Sequence, residues 1–199
     1  MNGAAPAPVT ALKNAADPVI AVIGNPNTGK STLFNALTGL RQKTANYPGV
    51  TVERHTGHIK LDGHNVTLVD LPGAYSIAAQ SPDEMVAIDV LLGHVEDLPR
   101  PRAILAVVDA TNLRRNLFLV TQLAELGLPM VIGLNMTDLA AAKGIEVDIT
   151  ALGAGLGAQV VALSAARGTG LDELRSALAT AIDAPSPPPL RVLPTVNEA

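Results

Sequence analysis

The sequence predicts an α/β fold: a mostly parallel, doubly wound sheet with helices on both faces. Segments with the apolar, β-branched character of buried strands alternate along the chain with segments of helical period. Some strands, such as Ala103–Asp109, are apolar throughout, which indicates burial on both faces of the sheet. A Gly-rich pattern at residues 24–31 stands between the first strand and the first helix, where such sheets bind phosphate groups.

One hairpin interrupts the alternation of strands and helices. Residues 41–50 have no sustained period and are interpreted as a loop. Asp62-Gly63 is typical of a tight hairpin turn, so the strands on either side are expected to be antiparallel. We therefore predict a six-stranded, mostly parallel sheet with one antiparallel strand, formed by Val19–Ile23, Thr51–Lys60, Asn65–Asp70, Ala103–Asp109, Met130–Asn135 and Gln159–Leu163.

Capping residues indicate where the helices begin. The first helix follows the Gly-rich pattern and extends to about Leu40. Ser81-Pro-Asp-Glu84 places an N-cap Ser before a Pro and a Glu in the first turn. Thr111 or Asn112 is expected to cap the third helix, and Asp148 to cap a short helix. The predicted helices after the first are about 82–92, 112–126, 137–143, 149–156 and 171–182.

The composition predicts one domain with two tails. Residues 1–17 are rich in Ala and Pro and are interpreted as a flexible tail, and residues 184–199 as a Pro-rich tail or linker, which leaves 18–183 as the domain. A net charge of −4 gives no indication of nucleic-acid binding, and the absence of cysteine excludes disulfides and thiolate metal sites. No apolar run reaches the roughly 18 residues of a membrane span, and we predict no signal peptide.

Polar motifs follow four of the predicted strands. Gly24 follows the first strand, Asp70 ends the third, Asn135 ends the fifth and Ser164 follows the sixth. Ligands of open α/β sheets bind beyond the carboxyl ends of the strands. The four motifs are therefore expected to form one site.

The first motif, Gly24–Ser31, fits the phosphate-binding pattern G-x-x-x-x-G-K-[ST]. Its glycines allow backbone N–H groups to surround a β-phosphate, and the following helix adds the positive end of its dipole. Lys30 is expected to bridge the β- and γ-phosphates, and the Ser31 hydroxyl to bind Mg²⁺. The alternative, an incidental Gly-rich turn, is disfavoured by the flanking strand and helix.

The second motif, Asp70–Gly73, fits D-x-x-G. Asp70 is expected to hold Mg²⁺ through water, and the Gly73 N–H to meet the γ-phosphate. Taken alone, these residues are also common in ordinary turns. Thr51 is the candidate switch threonine, whose hydroxyl would reach Mg²⁺ only with a triphosphate bound; the alternative is a Thr that simply begins a strand.

The third and fourth motifs are expected to select the base. Asn135–Asp138 fits N-x-x-D, and a carboxylate at Asp138 can accept hydrogen bonds from N1–H and the exocyclic amine of guanine, donors that adenine lacks there. Asn135 is expected to brace the loop and the base, and the Ala165 N–H in Ser164–Ala166 to reach the guanine O6. The alternatives are a helix N-cap and an ordinary loop.

These motifs together resemble those of the TRAFAC GTPases, which share a Ras-like P-loop fold. A narrower resemblance, over roughly residues 18–183, is to the FeoB family of bacterial ferrous-iron transporters. It is carried by residues 24–35 (GNPNTGKSTLFN), 46–53 (NYPGVTVE), 70–76 (DLPGAYS) and 108–113 (VDATNL). In that family, the GTPase is the cytosolic N-terminal part of a polytopic membrane protein, and a helical subdomain follows it.

The resemblance implies GTP and GDP as ligands, Mg²⁺ as cofactor and K⁺ as an activator. Ala74 stands where Ras-like enzymes carry a water-orienting Gln, and the family uses K⁺ between the phosphates instead. The marker of that ion is an Asn in the phosphate loop, here Asn27. A simple loop-bracing role for Asn27 is the alternative.

The resemblance also implies a place in the cell and partners. The expected location is the cytoplasmic face of the bacterial inner membrane, and the expected partners are the transporter region of the full-length protein and small accessory Feo proteins. The chain ends at Ala199 without the helical subdomain, and we interpret it as a shortened form or a variant with another linker. The alternative functional reading is an Era-like regulatory switch with no transport role.

The candidate site residues follow from the motifs and the resemblance. We expect catalytic roles for Asn27, Lys30, Thr51 and Gly73, Mg²⁺ ligands in Ser31, Thr51 and Asp70, and a K⁺ ligand in Asn27. The expected nucleotide contacts are Gly24, Asn25, Pro26, Asn27, Thr28, Gly29, Lys30, Ser31, Thr32, Gly49, Val50, Thr51, Val52, Glu53, Asp70, Leu71, Pro72, Gly73, Asn135, Met136, Asp138, Ser164, Ala165 and Ala166. The histidines are interpreted as solvated hairpin residues rather than an iron site.

Overall fold

The fold was analysed in a computed structural model, which describes residues 17–39, 42–47, 50–78 and 81–188. Both predicted tails lie largely outside these ranges, as does the predicted site residue Gly49. The predicted end of the first helix at Leu40 is outside them too.

Seven strands form one sheet in the described part of the chain, in the order β2-β3-β4-β1-β5-β6-β7. Only β3 runs against the others, because it is antiparallel to both of its neighbours, whereas β4, β1, β5, β6 and β7 are parallel. The predicted mostly parallel sheet with one antiparallel strand is therefore confirmed. The strands are β1 (Val19–Gly24), β2 (Gln42–Asn46), β3 (Glu53–Leu61), β4 (His64–Asp70), β5 (Ala103–Asp109), β6 (Met130–Asn135) and β7 (Gln159–Ala162).

The prediction of six strands and of a loop at residues 41–50 was wrong, because β2 lies within that segment. The sequence of β2, QKTAN, has no apolar alternation, and its residues are exposed or half-buried. Pairing with β3, from Gln42 opposite Gly57 to Asn46 opposite Glu53, makes it a strand. An edge strand with no buried face leaves no periodic signal in the sequence.

The predicted hairpin is present between β3 and β4. Leu61 pairs with His64, so the connecting turn consists of Asp62 and Gly63. Both turn residues have positive φ, 43° and 89°. This is the conformation in which the twist of a two-residue turn matches that of the strands it joins.

The helices begin close to the predicted residues. The Ser81 side chain accepts a hydrogen bond from the Glu84 N–H at 3.3 Å, and Asp148 accepts one from the Ala151 N–H at 2.9 Å, so both predicted N-caps are confirmed. A short 3₁₀ turn, Ala110–Asn112, precedes the third helix. The helices are α1 (Lys30–Thr38), α2 (Pro82–Leu92), α3 (Leu113–Ala124), α4 (Thr137–Ala142), α5 (Ile149–Leu156) and α6 (Leu171–Asp183).

The sheet divides the apolar core into two layers. Along β1, Ala21 and Ile23 face one layer and Ile20 and Val22 the other, as the period of a strand requires. Helices α2, α3 and α4 pack into the first layer, and α1 and α6 into the second. Helices therefore cover both faces, as predicted from the continuous apolar strands. None of the helices in the described ranges has both the length and the apolar character to cross a membrane.

The contact between α1 and β3 yields a test of this packing. A Cβ at Gly57, a buried residue in β3, would lie 2.2 Å from Thr38 Cγ2 and 2.8 Å from Thr38 Cβ. We predict that Gly57→Ala lowers the free energy of unfolding by about 1–3 kcal/mol in urea titrations, because α1 must shift.

Gly155→Ala is the matched control. Gly155 lies in α5, and an added Cβ there would meet no atom within 4 Å. An Ala in a helix interior is expected to raise stability by roughly 0.5–1 kcal/mol. Equal stability of the Gly57→Ala variant and the wild type would contradict the packing of α1 on β3.

Candidate nucleotide-binding site

The motifs predicted at the strand ends lie together at one edge of the sheet. The Leu71 N–H donates to the Val22 carbonyl oxygen at 2.9 Å, and the Ala74 N–H donates to the Gly24 carbonyl oxygen at 3.2 Å. The segment after β4 is thereby attached to the segment after β1. Asn135, at the end of β6, reaches the same loop.

The loop between β1 and α1 has a conformation that suits an anion. Asn27 and Gly29 both have positive φ, 68° and 78°. The Thr28 hydroxyl closes the turn by donating to the Asn25 carbonyl oxygen at 2.9 Å. Loops in which left-handed residues alternate with others direct backbone N–H groups to one side, and the N-terminus of α1 follows at Lys30.

Two glycines of this loop have no space for a side chain. A Cβ at Gly24 would lie 2.4 Å from the Val107 carbonyl oxygen, and a Cβ at Gly29 would lie 2.4 Å from Asn135 Nδ2. The loop is thus packed directly against β5 and β6. Pro26, Ser31 and Thr32 remain exposed on its outer side.

Lys30 and Asp70, predicted to bind phosphate and Mg²⁺, form an ion pair with each other. The Lys30 ammonium donates to Asp70 Oδ1, and the two side chains are only 12% and 10% exposed. The pairing leaves neither charge isolated in this nearly buried position. A phosphate would offer Lys30 a new partner, and a metal ion would offer Asp70 one.

The D-x-x-G segment packs on the phosphate loop. A Cβ at Gly73 would stand 3.4 Å from the backbone nitrogen and Cγ of Pro26. Leu71 is buried and Pro72 half-buried, whereas Gly73 is exposed. The backbone of Gly73 therefore lies beside the phosphate loop, where the sequence placed it.

Asn135 joins the phosphate loop to the loop after β7. Its Nδ2 donates to the Thr28 carbonyl oxygen, and its Oδ1 accepts from the Ala165 N–H, both at 2.9 Å. The side chain is buried. The bracing of the loop expected of Asn135 is thus seen in the hydrogen bonds of the structure.

The Ala165 N–H, predicted to reach the guanine O6, is engaged by Asn135 in this structure. Sequence reasoning did not anticipate this bond, because Asn135 and Ala165 come from different strands. Met136, between Asn135 and the first turn of α4, has φ 61°. Ala166 is exposed at the start of the turn that follows β7.

Asp138 lies in the first turn of α4 and has two partners from the loop after β7. A hydrogen bond to the Ser164 side chain and the nearby Arg167 guanidinium hold the pKa of the Asp138 carboxyl below its usual range. Arg167 Nε lies 2.9 Å from Asp138 Oδ2. The carboxylate is consequently ionised at neutral pH, as an acceptor for base donors must be.

The segment that contains Thr51 is anchored by a residue that the sequence analysis did not single out, Tyr47. This side chain is buried, its backbone N–H donates to the Val52 carbonyl oxygen at 3.0 Å, and burial raises the pKa of its hydroxyl. The Arg54 guanidinium lies 5.7 Å from the ring centroid and pairs with Asp97 through two bonds of 2.8 Å.

The predicted residues around Thr51 are placed on the surface. Val50, Thr51 and Glu53 are exposed and Val52 is half-buried. No hydrogen bond or ion pair found among the described residues links Thr51 to Lys30 or Asp70. Thr51 therefore has no direct bond to Asp70, the carboxylate expected to share Mg²⁺ with it, in the described part of the chain.

Three of the four histidines, His55, His58 and His64, lie in the β3–β4 hairpin as interpreted, whereas His94 lies after α2. His58, His64 and His94 are exposed, and His55 is half-buried. His55 pairs with Thr44 and Glu53, and His58 with Thr67 across the hairpin. Within the described ranges, no three His, Cys, Asp or Glu side chains come together as a metal site would require.

Comparison with known proteins identifies the family. The sequence model described as ferrous iron transport protein B matches residues 18–178. The chain belongs to the FeoB family. It corresponds to the N-terminal G domain of these transporters.

Individual relatives agree with the family match. The Fe(2+) transporter FeoB of Escherichia coli K12 is 50% identical over 137 residues, which are 67% of this chain and 17% of that protein. A mutant of S. thermophilus NFeoB bound to mGDP is 46% identical with a TM-score of 0.77, covering 83% of this chain and 62% of that one. The FeoB G-domain of Methanococcus jannaschii is 42% identical with a TM-score of 0.72, covering 84% and 98%.

The fold is therefore that of a P-loop GTPase, as the resemblance implied. The chain spans about a sixth of the length of the curated transporters that it matches.

Asn135→Ala tests the link between the two loops. The substitution leaves the buried Thr28 carbonyl and the Ala165 N–H without their partner, so we expect the free energy of unfolding to fall by about 1–3 kcal/mol in urea titrations. Asn65→Ala, at an exposed position of β4, is the control and should stay within roughly 0.5 kcal/mol of the wild type. A similarly small loss for Asn135→Ala would mean that the two bonds contribute little.

Proposed function

We propose that this chain binds GTP with Mg²⁺ and hydrolyses it to GDP and inorganic phosphate. The observation that carries the proposal is the double hydrogen bond of Asn135, which holds a phosphate-binding loop and a base-selecting loop at a fixed separation. A nucleotide carries a phosphate chain and a base at its two ends. The family membership and the GDP-bound form of a mutant of the S. thermophilus relative support the same ligand.

The phosphate end of the site would be formed by residues 24–32. Backbone N–H groups of the loop and the α1 N-terminus would face the β-phosphate, while the Lys30 ammonium would leave Asp70 to meet the β- and γ-phosphates. Gly73, which lies beside Pro26, would present its N–H to the γ-phosphate.

The oxygen-bearing residues at this end suit Mg²⁺. Ser31, Thr51 and Asp70 offer two hydroxyls and a carboxylate, the hard ligands that Mg²⁺ takes in partly hydrated sites. When bound, the ion would neutralise charge on the β- and γ-phosphates. Thr51 would have to approach from its exposed position, so closure of residues 50–53 over the phosphates is part of the proposal. Tyr47, buried at the start of that segment, would serve as its fixed end.

The base end would select guanine through Asp138. Its ionised carboxylate would accept the N1–H and the exocyclic amine of guanine, and the loop Ser164–Ala166 would cover one side of the base. Adenine would leave this partly enclosed carboxylate without those donors, which disfavours ATP.

Hydrolysis in this chain must proceed without a glutamine after D-x-x-G. Ala74 occupies that position and is buried, and the next residue, Tyr75, stacks with Arg115 at 4.4 Å from the ring centroid. Neither side chain can orient a water as an amide does. We propose that K⁺ activates the reaction. Asn27, exposed on the phosphate loop in a left-handed conformation, would supply an amide oxygen ligand.

In the full-length protein, GTP turnover would drive or gate uptake of ferrous iron across the bacterial inner membrane. The chain would then act at the cytoplasmic face, together with the membrane-embedded region and small accessory Feo proteins. The family match and the transporter relatives support this part of the proposal.

Potassium dependence is tested by measuring GTP hydrolysis in KCl and in NaCl. We predict that KCl raises the turnover number at least about tenfold, because a K⁺ ion would supply transition-state charge stabilisation. Asn27→Ala should lose the difference between the two salts, while Asn65→Ala should keep it. Equal slow rates in both salts for the wild-type chain would refute the role of K⁺ and leave a nucleotide switch.

Base selection is tested with Asp138→Asn. An amide can donate where the carboxylate can only accept, so this variant should bind xanthine nucleotides and lose most of its affinity for guanine nucleotides. We expect a change in the GDP-to-XDP preference of about 100-fold or more, measured by competition binding. Unaltered preference for GDP would show that Asp138 does not contact the base.

A further inference from the structure

Arg167 forms an ion pair with the carboxylate that is expected to select the base. Its Nε lies 2.9 Å from Asp138 Oδ2. The Asp138 side chain is 17% exposed and the Arg167 side chain is 68% exposed. The guanidinium is thus the more exposed member of the pair, and it occupies one oxygen of the carboxylate that a base would need.

The backbone holds Arg167 in this place. The Arg167 N–H donates to the Ser164 carbonyl oxygen at 3.1 Å, and Ser164 and Thr169 exchange two backbone bonds of 3.1 and 3.2 Å. The turn then ends at Gly170, where φ is 77° and a Cβ would lie 2.3 Å from the Ala162 carbonyl oxygen. These contacts fix the path of the turn and keep the Arg167 backbone within reach of Asp138.

Arg167 and guanine are alternative partners of the Asp138 carboxylate, because both carry N–H donors. Arg167 forms an ion pair with this carboxylate through Nε, and a guanidinium carries several N–H donors that suit such an acceptor. The Watson–Crick edge of guanine also carries two neighbouring donors, N1–H and the exocyclic amine. The Asp138 carboxylate also accepts from the Ser164 side chain, which leaves fewer positions for further donors. Arg167 and guanine therefore compete for one acceptor.

We propose that Arg167 is an internal substitute for guanine, which occupies Asp138 when the site holds no nucleotide and must be displaced before the base is bound. This inference rests on the proposed function, because it assumes that Asp138 binds guanine. Displacement of Arg167 breaks an exposed ion pair, and this cost weakens nucleotide binding. The corresponding increase in Kd is about two- to fivefold. The factor is the same for GDP and GTP, since both carry the same base.

Arg167→Ala tests the proposal through equilibrium and stopped-flow binding of fluorescent GDP and of a non-hydrolysable GTP analogue. We expect both nucleotides to bind about two- to fivefold more tightly than to the wild-type chain. The matched control is Arg175→Ala, which removes an arginine that pairs with Asp172 at 3.0 Å on α6. Its affinities should equal those of the wild type. Raised salt should shrink the difference between Arg167→Ala and the wild type, because it screens the exposed pair.

The Asp138→Asn variant serves as a second background. It distinguishes competition for the Asp138 carboxylate from a general effect of the Arg167 charge on nucleotide binding. In Asp138→Asn, where the carboxylate is gone, adding Arg167→Ala should leave the affinity for XDP unchanged. Persistence of the tightening in this background would overturn the proposal, because Arg167 would then act on the nucleotide without Asp138.

The remaining outcomes are decisive as well. Unchanged or weaker binding of both nucleotides by Arg167→Ala overturns the proposal, because the arginine would then be neutral or would itself hold the nucleotide. A wild-type chain that shows no preference for GDP over ADP overturns the proposed function and this inference together. A wild-type preference for GDP, with no tightening in Arg167→Ala, overturns this inference alone.

Discussion

The site depends on one buried amide. Asn135 donates to the loop after β1 and accepts from the loop after β7, and these two loops come from strands separated by β5 and β6 in the sheet. Parallel strands bring the loops to the same edge and space the points at which they begin. The Asn135 side chain then ties the loops to each other through two bonds of 2.9 Å, and the side chain is buried. A nucleotide that spans both loops requires such a fixed separation.

At each end of the site, a charged side chain forms an ion pair with an oppositely charged side chain of the protein. Lys30 is held by Asp70 at the phosphate end, and Asp138 by Arg167 at the base end. The Lys30–Asp70 pair matters most for stability without a ligand, since an unpartnered charge in its nearly buried position is costly. Binding of a nucleotide would then exchange one set of partners for another. The net affinity would be the difference between the two sets, and much weaker than a count of new contacts suggests.

The sequence was sufficient for features that local chemistry determines. The phosphate loop, the caps at Ser81 and Asp148, and the alternating strands carry patterns that few other structures share. The sequence was insufficient for features that depend on contacts between residues far apart in the chain. Strand β2 exists because β3 lies beside it, and the partners of Ala165 and Asp138 come from other elements. Burial of Tyr47 beneath the Arg54–Asp97 pair leaves no periodic signal either, because three separate segments contribute. Tertiary contacts of this kind require the structure.

The most direct test of one guanine-nucleotide site at this edge is isothermal titration of the chain with Mg²⁺-GDP and Mg²⁺-ADP, with Lys30→Ala alongside. We predict one GDP per chain, an affinity for ADP at least about 10³-fold weaker, and loss of GDP binding in Lys30→Ala. Equal affinities for GDP and ADP would contradict base selection by Asp138. Undiminished GDP binding by Lys30→Ala would contradict the assignment of residues 24–31 to the phosphates.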